Sequence, residues 1–485
     1  MRPVAPLLAL SLVAVACTDE TSATPADAAV TDIPASIKDA GPPPPPWPHE
    51  LPAARVMGEA RGWSTRRVIV HSHSVHSHDA CDGNPYVDGG PNEPCLQSFR
   101  RSVCRARVDV VFLTEHEDLI SSVPFERVMQ VRAGDEPVME NGAMVGYRIA
   151  CEGGHRTLVL PGAENELMPL GLTRHPDRVN GDLGMAYHAD DAAGVRRFRE
   201  AGALVAVAHV EQRTIEHLRE LSPDVIEVYN VHANIDPRIA TTHLGIEIGQ
   251  GLADMFRFTN ATLQLEPDFA FMAFFQENQS DLRKWAMLLT DGRRIPGVAA
   301  SDSHENAFPL LLRDGERGDS YRRIYRFFSN EILVEGELTR QSVMSALARG
   351  RLFVAFETFG TPAGFAYTAR TMDGMTHDMG AQVSLRQQPV LTVAAPSVYE
   401  LSRELPVPSV RVRILKAMAD GTWQELANQS GAPGMVTATH TPTTAGAYRV
   451  EVRITPEHAR PYLPTLERLV REMPWIYSNP IYVTE

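Results

Sequence analysis

Histidines and carboxylates in this 485-residue chain gather in short runs. HSHSVHSHDACDG holds His71, His73, His76, His78, Asp79 and Asp82. TEHED holds His116, GAENEL holds Glu164, and VAVAHVE holds His209. IEVYNVH ends in Asn230 and His232, and SDSHEN contains Asp302 and His304. Imidazole and carboxylate donors together suit zinc, manganese or iron. His71 and His73, two apart on an extended segment, send both rings to one side. A carboxylate such as Glu164 has two oxygens and can bridge two ions. Closely spaced divalent ions lower the pKa of a bound water and neutralise charge developing on an attacked phosphoryl or carbonyl centre.

Something must bring these runs together. Apolar, β-rich stretches precede each one: RRVIV at 66–70, VDVVFL at 108–113, TLVLPG at 157–162, ALVAVA at 203–208, DVIEVY at 224–229 and PGVAAS at 296–301. Continuous apolar strands of this kind fit a parallel sheet buried on both faces. Between them lie helix candidates such as CLQSFRRSVCRARV, DDAAGVRRFREAG and SDLRKWAMLLTDG. Alternation of strand and helix over nearly 300 residues predicts a (β/α) barrel, with EILVEG near 331 and RLFVAFE near 351 completing it. Each of the six earlier strands then delivers a candidate ligand at its C-terminal end, the face where barrel enzymes place their chemistry. A histidine-rich loop alone is ordinarily a solvated accident; six strand ends in succession are not.

HSHSVHSHDACDG, FLTEHED, PGAENEL, VAVAHVE, IEVYN and AASDSHEN, in that order, resemble the motifs of the PHP (polymerase and histidinol phosphatase) superfamily over residues 66–357. The closing WIYSNPIYV is similar to its carbaryl-hydrolase-type branch, many members of which are exported. The resemblance implies a distorted seven-stranded barrel holding two or three ions of zinc, manganese or iron, and phosphoester hydrolysis as the commonest activity. It implies that His71 and His73 bind one ion with Glu164 as bridge and Asp302 closing the set. His116, His304 and a residue of the first run would hold another, and His209 a further one. Water activated by the ions would attack, with His209 and His304 supporting. The family's Ser-Asp-Gly is stretched here to Ser77–Gly83, so Asp82 competes with His78 and Asp79. Thr114-Glu115-His116 replaces Thr-Asp-His, leaving Glu115 as a carboxylate behind the ligands. Met168 stands where many members carry a histidine, and the nearest candidates are His175 and His188.

Other positions carry blander readings. Glu227 either orients a ligand histidine or is a buried structural carboxylate, and Asn230 joins it as a supporting residue. His232 and Asn234 line the pocket or do not; His217 sits on a solvated helix face. Arg66, Arg67 and Arg174 could meet an anionic substrate, although surface arginines usually do not.

The first residues, MRPVAPLLALSLVAVA, have the form of a secretory signal too short to span a bilayer. Small residues before Cys17 resemble the lipobox of bacterial lipoproteins, which implies lipidation of Cys17, and Thr18 in place of aspartate favours the outer membrane. The alternative is a plain cleaved signal over 1–17. Residues 18–50, rich in Ala, Asp and Pro, read as a disordered tether. A barrel over 51–360 and an antiparallel β-sandwich over 365–485 follow, the latter from period-two alternation in SVRVRIL and AGAYRVEVRI. The fold class is α/β. No later segment is apolar enough for a transmembrane helix. Cys81, Cys95, Cys104 and Cys151 form an even set and predict two disulfides with three possible pairings, unless Cys81 ligates metal. A net charge of −14 argues against a nucleic-acid groove. Three function classes remain: a phosphoesterase acting on a small anionic ester, a carbamate, carboxyl-ester or amide hydrolase on the same centre, and a metal-binding module without turnover.

Overall fold

The computed structural model of the chain describes residues 43–485. The signal segment and residues 18–42 of the tether lie outside the described residues.

Val68, Ile69 and Val70 are all buried at the middle of β1 (Trp63–Ser72), as a strand covered on both faces requires. β1 pairs in parallel with β2 (Val110–His116), and β2 with β3 (Arg156–Glu164). The chain then doubles back into β4 (Leu167–Leu170), antiparallel to both β3 and β5 (Leu204–Val207). β5, β6 (Val225–Asn230) and β7 (Gly297–Ser303) are parallel, and β7 pairs with β1 to close a seven-stranded barrel. Six strands run one way and β4 the other. Val68, Val70, Phe112, Leu160, Leu170 and Val298 belong to one buried cluster with the barrel's other small apolar residues.

The seventh strand is not the one expected from the sequence. LMPL at β4 is short, contains proline and begins on the last residue of GAENEL, so it carries no strand signal of its own. The stretches near 331 and 351, expected to complete the barrel, leave it instead. β8 (Ser329–Glu335) pairs antiparallel with the first half of β1, whose second half stays in the barrel. From β8 the sheet continues through β9 (Leu352–Ala355), β13 (Met473–Ser478), β12 (Gly446–Thr455) and β10 (Ser409–Ala417) to β11 (Trp423–Gly431). A second antiparallel sheet, built from 366–370, 376–378, 390–394 and 437–440, packs on it. Leu391 and Val393 of this sheet share a core with Val412, Ile414 and Val450, and the Tyr367 hydroxyl donates to the Tyr448 carbonyl at 2.8 Å. The two antiparallel sheets pack face to face, and residues 44–485 form one compact unit.

Three helices lie where the sequence placed them: α1 (Glu93–Arg105), α2 (Ala192–Glu200) and α3 (Gln279–Thr290). Asn92 and Asp191 accept from backbone amides at the starts of α1 and α2, which fixes where each helix begins. A fourth, α4 (Arg340–Ala348), adds Val343 and Leu347 to the barrel cluster. No helix among the described residues is long and apolar enough to cross a membrane.

The packed body begins earlier than residue 51. Trp47 is buried against Phe269 and Tyr462, at 4.6 and 5.2 Å between ring centroids, and the Tyr462 hydroxyl donates to the Pro45 carbonyl at 2.6 Å. One tryptophan is enough to dock the proline-rich run, so residues 44–50 are not part of a free tether.

Candidate metal centre

Because β1, β2, β3, β5, β6 and β7 share a direction, the residues at their C-terminal ends meet on one face. Three of these residues turn the chain sharply there. His71, His209 and Asp302 have φ of 63°, 51° and 45°, a left-handed conformation that costs a non-glycine residue on the order of 1–3 kcal/mol. Neighbours hold it in place. The Ser301 hydroxyl donates to the His71 carbonyl at 2.5 Å, the His73 amide to the Ser303 carbonyl at 3.0 Å, and the His209 amide to Glu227 at 3.0 Å.

The side chains that result converge. Asp302 Oδ1 lies 3.3 Å from Nε2 of both His71 and His73, and its Oδ2 lies 3.4 Å from His209 Nε2. Glu164 divides likewise: Oε1 is 3.8 Å from His71 Nε2 and 3.5 Å from His209 Nε2. Its Oε2 is 3.9 Å from His73 Nε2 and 3.0 Å from His116 Nδ1. Asp79 Oδ1 sits 3.3 Å from His116 Nε2 and 3.4 Å from His304 Nε2. Two ligands about 2.1 Å from one ion stand roughly 3–3.5 Å apart, so these spacings suit donors arranged around cations rather than bonded to each other.

Partners on the far side of each ring point the same way. His71 Nδ1 meets Glu227 at 2.8 Å, His209 Nδ1 meets Glu211 at 3.1 Å, and His304 Nδ1 meets the Asp302 carbonyl at 2.9 Å. All three partners can only accept, so Nδ1 carries a hydrogen and Nε2 is the nitrogen left to offer its lone pair to a cation. His73 Nδ1 meets the Ser77 hydroxyl at 2.7 Å, and Ser77 in turn donates to Glu115 at 2.9 Å. The Nε2 atoms of His71, His73 and His304, together with Asp79 Oδ1, are buried without a hydrogen-bond partner. Each such atom costs about 1–3 kcal/mol if left unmet, and four at one point fit a site made for divalent cations.

Electrostatics agree with that fit. Burial works to lower His71, but Asp302 and Glu227 outweigh it and push the ring up to about 9. His116, between Asp79 and Glu164, is pushed up to about 12 against the same burial. Burial would raise Glu164 and Asp302; the surrounding histidines reverse this and hold both carboxyls below the usual range. His73 and His304 go the other way, lowered by burial and by neighbouring rings. The carboxylates thus stay ionised, and protons gather on rings that a cation would claim.

Of the residues singled out from the sequence, His71, His73, His116, Glu164, His209, Asp302 and His304 come together, and Asp79 joins them. Asp82 does not. The Cys81–Cys95 disulfide and left-handed backbone at Cys81 and Asp82 turn its carboxylate outward, onto Arg317 at 2.8 and 2.9 Å. The disulfide also removes Cys81 as a ligand, and Cys104 pairs with Cys151. His78 reaches the exposed edge beside Asp79 and His116, with Nδ1 3.2 Å from Asp118. His175 stays away, with both ring nitrogens engaged by Tyr187 and the Val123 carbonyl at 2.9 Å. Glu115 and Glu227 stand behind the ligands. Asn230 accepts from the His232 and Ala233 amides, and its amide lies 3.4 Å from Glu227. His232 reaches the rim, 4.0 Å from Asp302, whereas Asn234 donates to the Phe274 and Gln276 carbonyls inside the fold. Arg67 is locked onto Glu357, and Arg174 pairs with Asp177 on the surface. Glu211 and Ser77 were missed. A glutamate or serine two to four residues beyond a ligand looks like any surface residue until the rings are placed.

No family model and no curated protein matches this sequence. Two solved structures align with it. One is a two-domain protein from Bacteroides vulgatus ATCC 8482 described as containing a predicted PHP-like metal-dependent phosphoesterase. It is 12% identical, with 88% of this chain and 97% of that chain covered, at a TM-score of 0.34. The other is PsfC from Pseudomonas syringae PB-5123, 13% identical, with 61% and 93% covered, at a TM-score of 0.32. Similarity at this level fixes neither a shared site nor a shared reaction.

Proposed function

We propose that this chain is a metal-dependent hydrolase of phosphoesters, built to hold two or three divalent ions of zinc, manganese or iron. The carrying observation is the division of Glu164 and Asp302, each with its two oxygens facing different histidine ring nitrogens. Divalent cations bound there would supply Lewis acidity and a water acidic enough to ionise near neutral pH. The residues supply the rest. Glu227, Glu211 and Ser77 fix ring orientation, so that no reorganisation is needed when a cation arrives. His71, His73, Asp302 and Glu164 would hold one position. His116, His304 and Asp79 would hold a second, and His209 a third with Glu164. His232, at the half-buried rim beside Asp302 and Asp236, would be the residue to carry a proton to a leaving oxygen.

The test is a substrate panel: protein reconstituted with zinc or manganese against nitrophenyl phosphate, a phosphodiester and a carboxyl ester. Phosphoester turnover is expected, and Asp302→Ala should lower it by orders of magnitude while the fold survives. Turnover of the carboxyl ester alone would move the assignment to ester, carbamate or amide hydrolysis. Full metal loading with no turnover would leave a binding module.

We also infer export and lipid anchoring through Cys17, supported by the leader-like start and the two disulfides. Cys17→Ala should release the protein from the membrane fraction; unchanged fractionation would refute the anchor.

A further inference from the structure

An arginine-lined cavity lies at the other end of the barrel. Trp63 opens β1, whose far end carries His71, roughly 26 Å away at about 3.3 Å per residue. Around Trp63 is a cavity of about 730 Å³ lined by Arg61, Arg294, Arg349 and Arg351. In a protein with a net charge of −14, four guanidinium groups in one cavity need an explanation. One carboxylate, Asp378, shares the lining, and it is already taken: Arg61 clasps it through two nitrogens, and Trp63 Nε1 donates to it at 3.1 Å. Among the described residues, Arg294 and Arg349 have no carboxylate within ion-pair distance. Arg351 lies over the Trp63 ring, 4.4 Å from its centroid, and donates to Ser345 at 3.2 Å, yet its Nε is buried without a partner. His377 Nε2, in the same wall, is also without one. Burial and the neighbouring Arg349 depress the Arg351 guanidinium, and the opposing pull of Glu335 and Asp378 does not cancel them.

The wall is built, not incidental. Gly380, at φ +80°, brings the 376–382 segment so close to the Arg349 carbonyl that no side chain fits between them. A second cavity, of about 670 Å³, shares Arg294 and Gln382 with the first and adds Lys416 and Tyr482.

We propose that this cavity binds a phosphoryl or sulfuryl dianion, free or as the terminal group of a larger ester, independently of the metal centre. Planar guanidinium forks match tetrahedral oxyanions, and the stack on Trp63 fixes one fork in place. A dianion would satisfy the unmet donors and neutralise the surplus positive charge.

Inorganic phosphate also binds metal centres, so the test separates the two sites. Calorimetric titration of the Asp302→Ala protein with inorganic phosphate, sulfate and glucose 6-phosphate should show one binding event. The pair Arg294→Glu and Arg349→Glu, both at exposed positions, should weaken it at least tenfold. In the metal-loaded native background the same pair should remove one of two phosphate-binding events and leave hydrolytic kcat/KM unchanged. Tighter binding of glucose 6-phosphate than of phosphate would identify an ester as ligand, and the reverse order a free oxyanion. No binding in Asp302→Ala together with a single event in the native protein would overturn the site. So would titrations indifferent to the arginine reversals.

Discussion

Glu164 is the residue on which the proposed metal centre turns. Its two oxygens face different histidine pairs, and at 5% exposure it has little water to share. Two cations side by side repel each other, and a shared negative charge is what offsets that repulsion. Glu164→Gln keeps the shape and removes the charge. At least one ion per chain should be lost by elemental analysis, and hydrolysis should fall by at least about a hundredfold. Full metal content with a full rate would exclude the bridging role. The histidines give a second prediction, for the metal-free protein. His71 is raised to about 9, above an unfolded value near 6.5. Its contribution to stability is therefore complete below pH 6.5 and is lost as the pH climbs through 9, a change on the order of 3 kcal/mol. His209 and His116 are raised as well and act in the same direction, while the depressed carboxylates matter only at acid pH. Calorimetry of the metal-free protein should show Tm falling between pH 6.5 and 9. With metal bound the rings are already deprotonated ligands, so the fall should vanish over that range. Equal slopes in the two forms would show that cations do not compete with those protons.

Elements explain why much of this was legible in the sequence and why the rest was not. A parallel strand announces itself by unbroken apolar residues, and a ligand that follows it is placed by the strand's direction alone. Hence His71, His116, Glu164, His209 and Asp302 could be read without knowing which strands are neighbours. The first run was different. Its backbone leaves the strand and folds over a disulfide, and only three-dimensional closure decides that Asp79 turns in and Asp82 turns out onto Arg317. The Cys81 and Asp82 amides donate to the carbonyls of His304 and Glu305, more than two hundred residues away, and no local pattern signals that. β4 escaped notice for the same reason. Four buried residues including Pro169 form a strand because β3 and β5 lie on either side, not because LMPL favours one.

At the scale of the whole molecule, the C-terminal strands brace the barrel rather than decorate it. Period-two alternation identified them as a sandwich but could not say what they touch. β9 carries the sheet from the barrel into β13, and Trp475 donates to the Gly360 carbonyl at 2.8 Å. The firmest tie is Asn479, in the closing SNP. Its side-chain amide donates to the Gly297 carbonyl at 2.8 Å, and its carbonyl oxygen accepts from the Gly297 amide at 2.8 Å. Gly297 begins β7, the strand that carries Asp302, and a side chain there would collide with Val228 and Trp285. Asn479→Ala would leave a buried amide and a buried carbonyl unmet, at about 1–3 kcal/mol each. Denaturant unfolding should therefore show a loss of about 3 kcal/mol in a single transition that carries the barrel with it. Were the C-terminal region an independent accessory module, the same substitution would split the transition or leave the barrel's midpoint where it was. Tryptophan fluorescence, which follows Trp423 and Trp475 of the C-terminal strands together with Trp63 of β1 and Trp285 of α3, read alongside release of metal from the barrel, distinguishes these outcomes: one shared midpoint is expected, displaced as a unit.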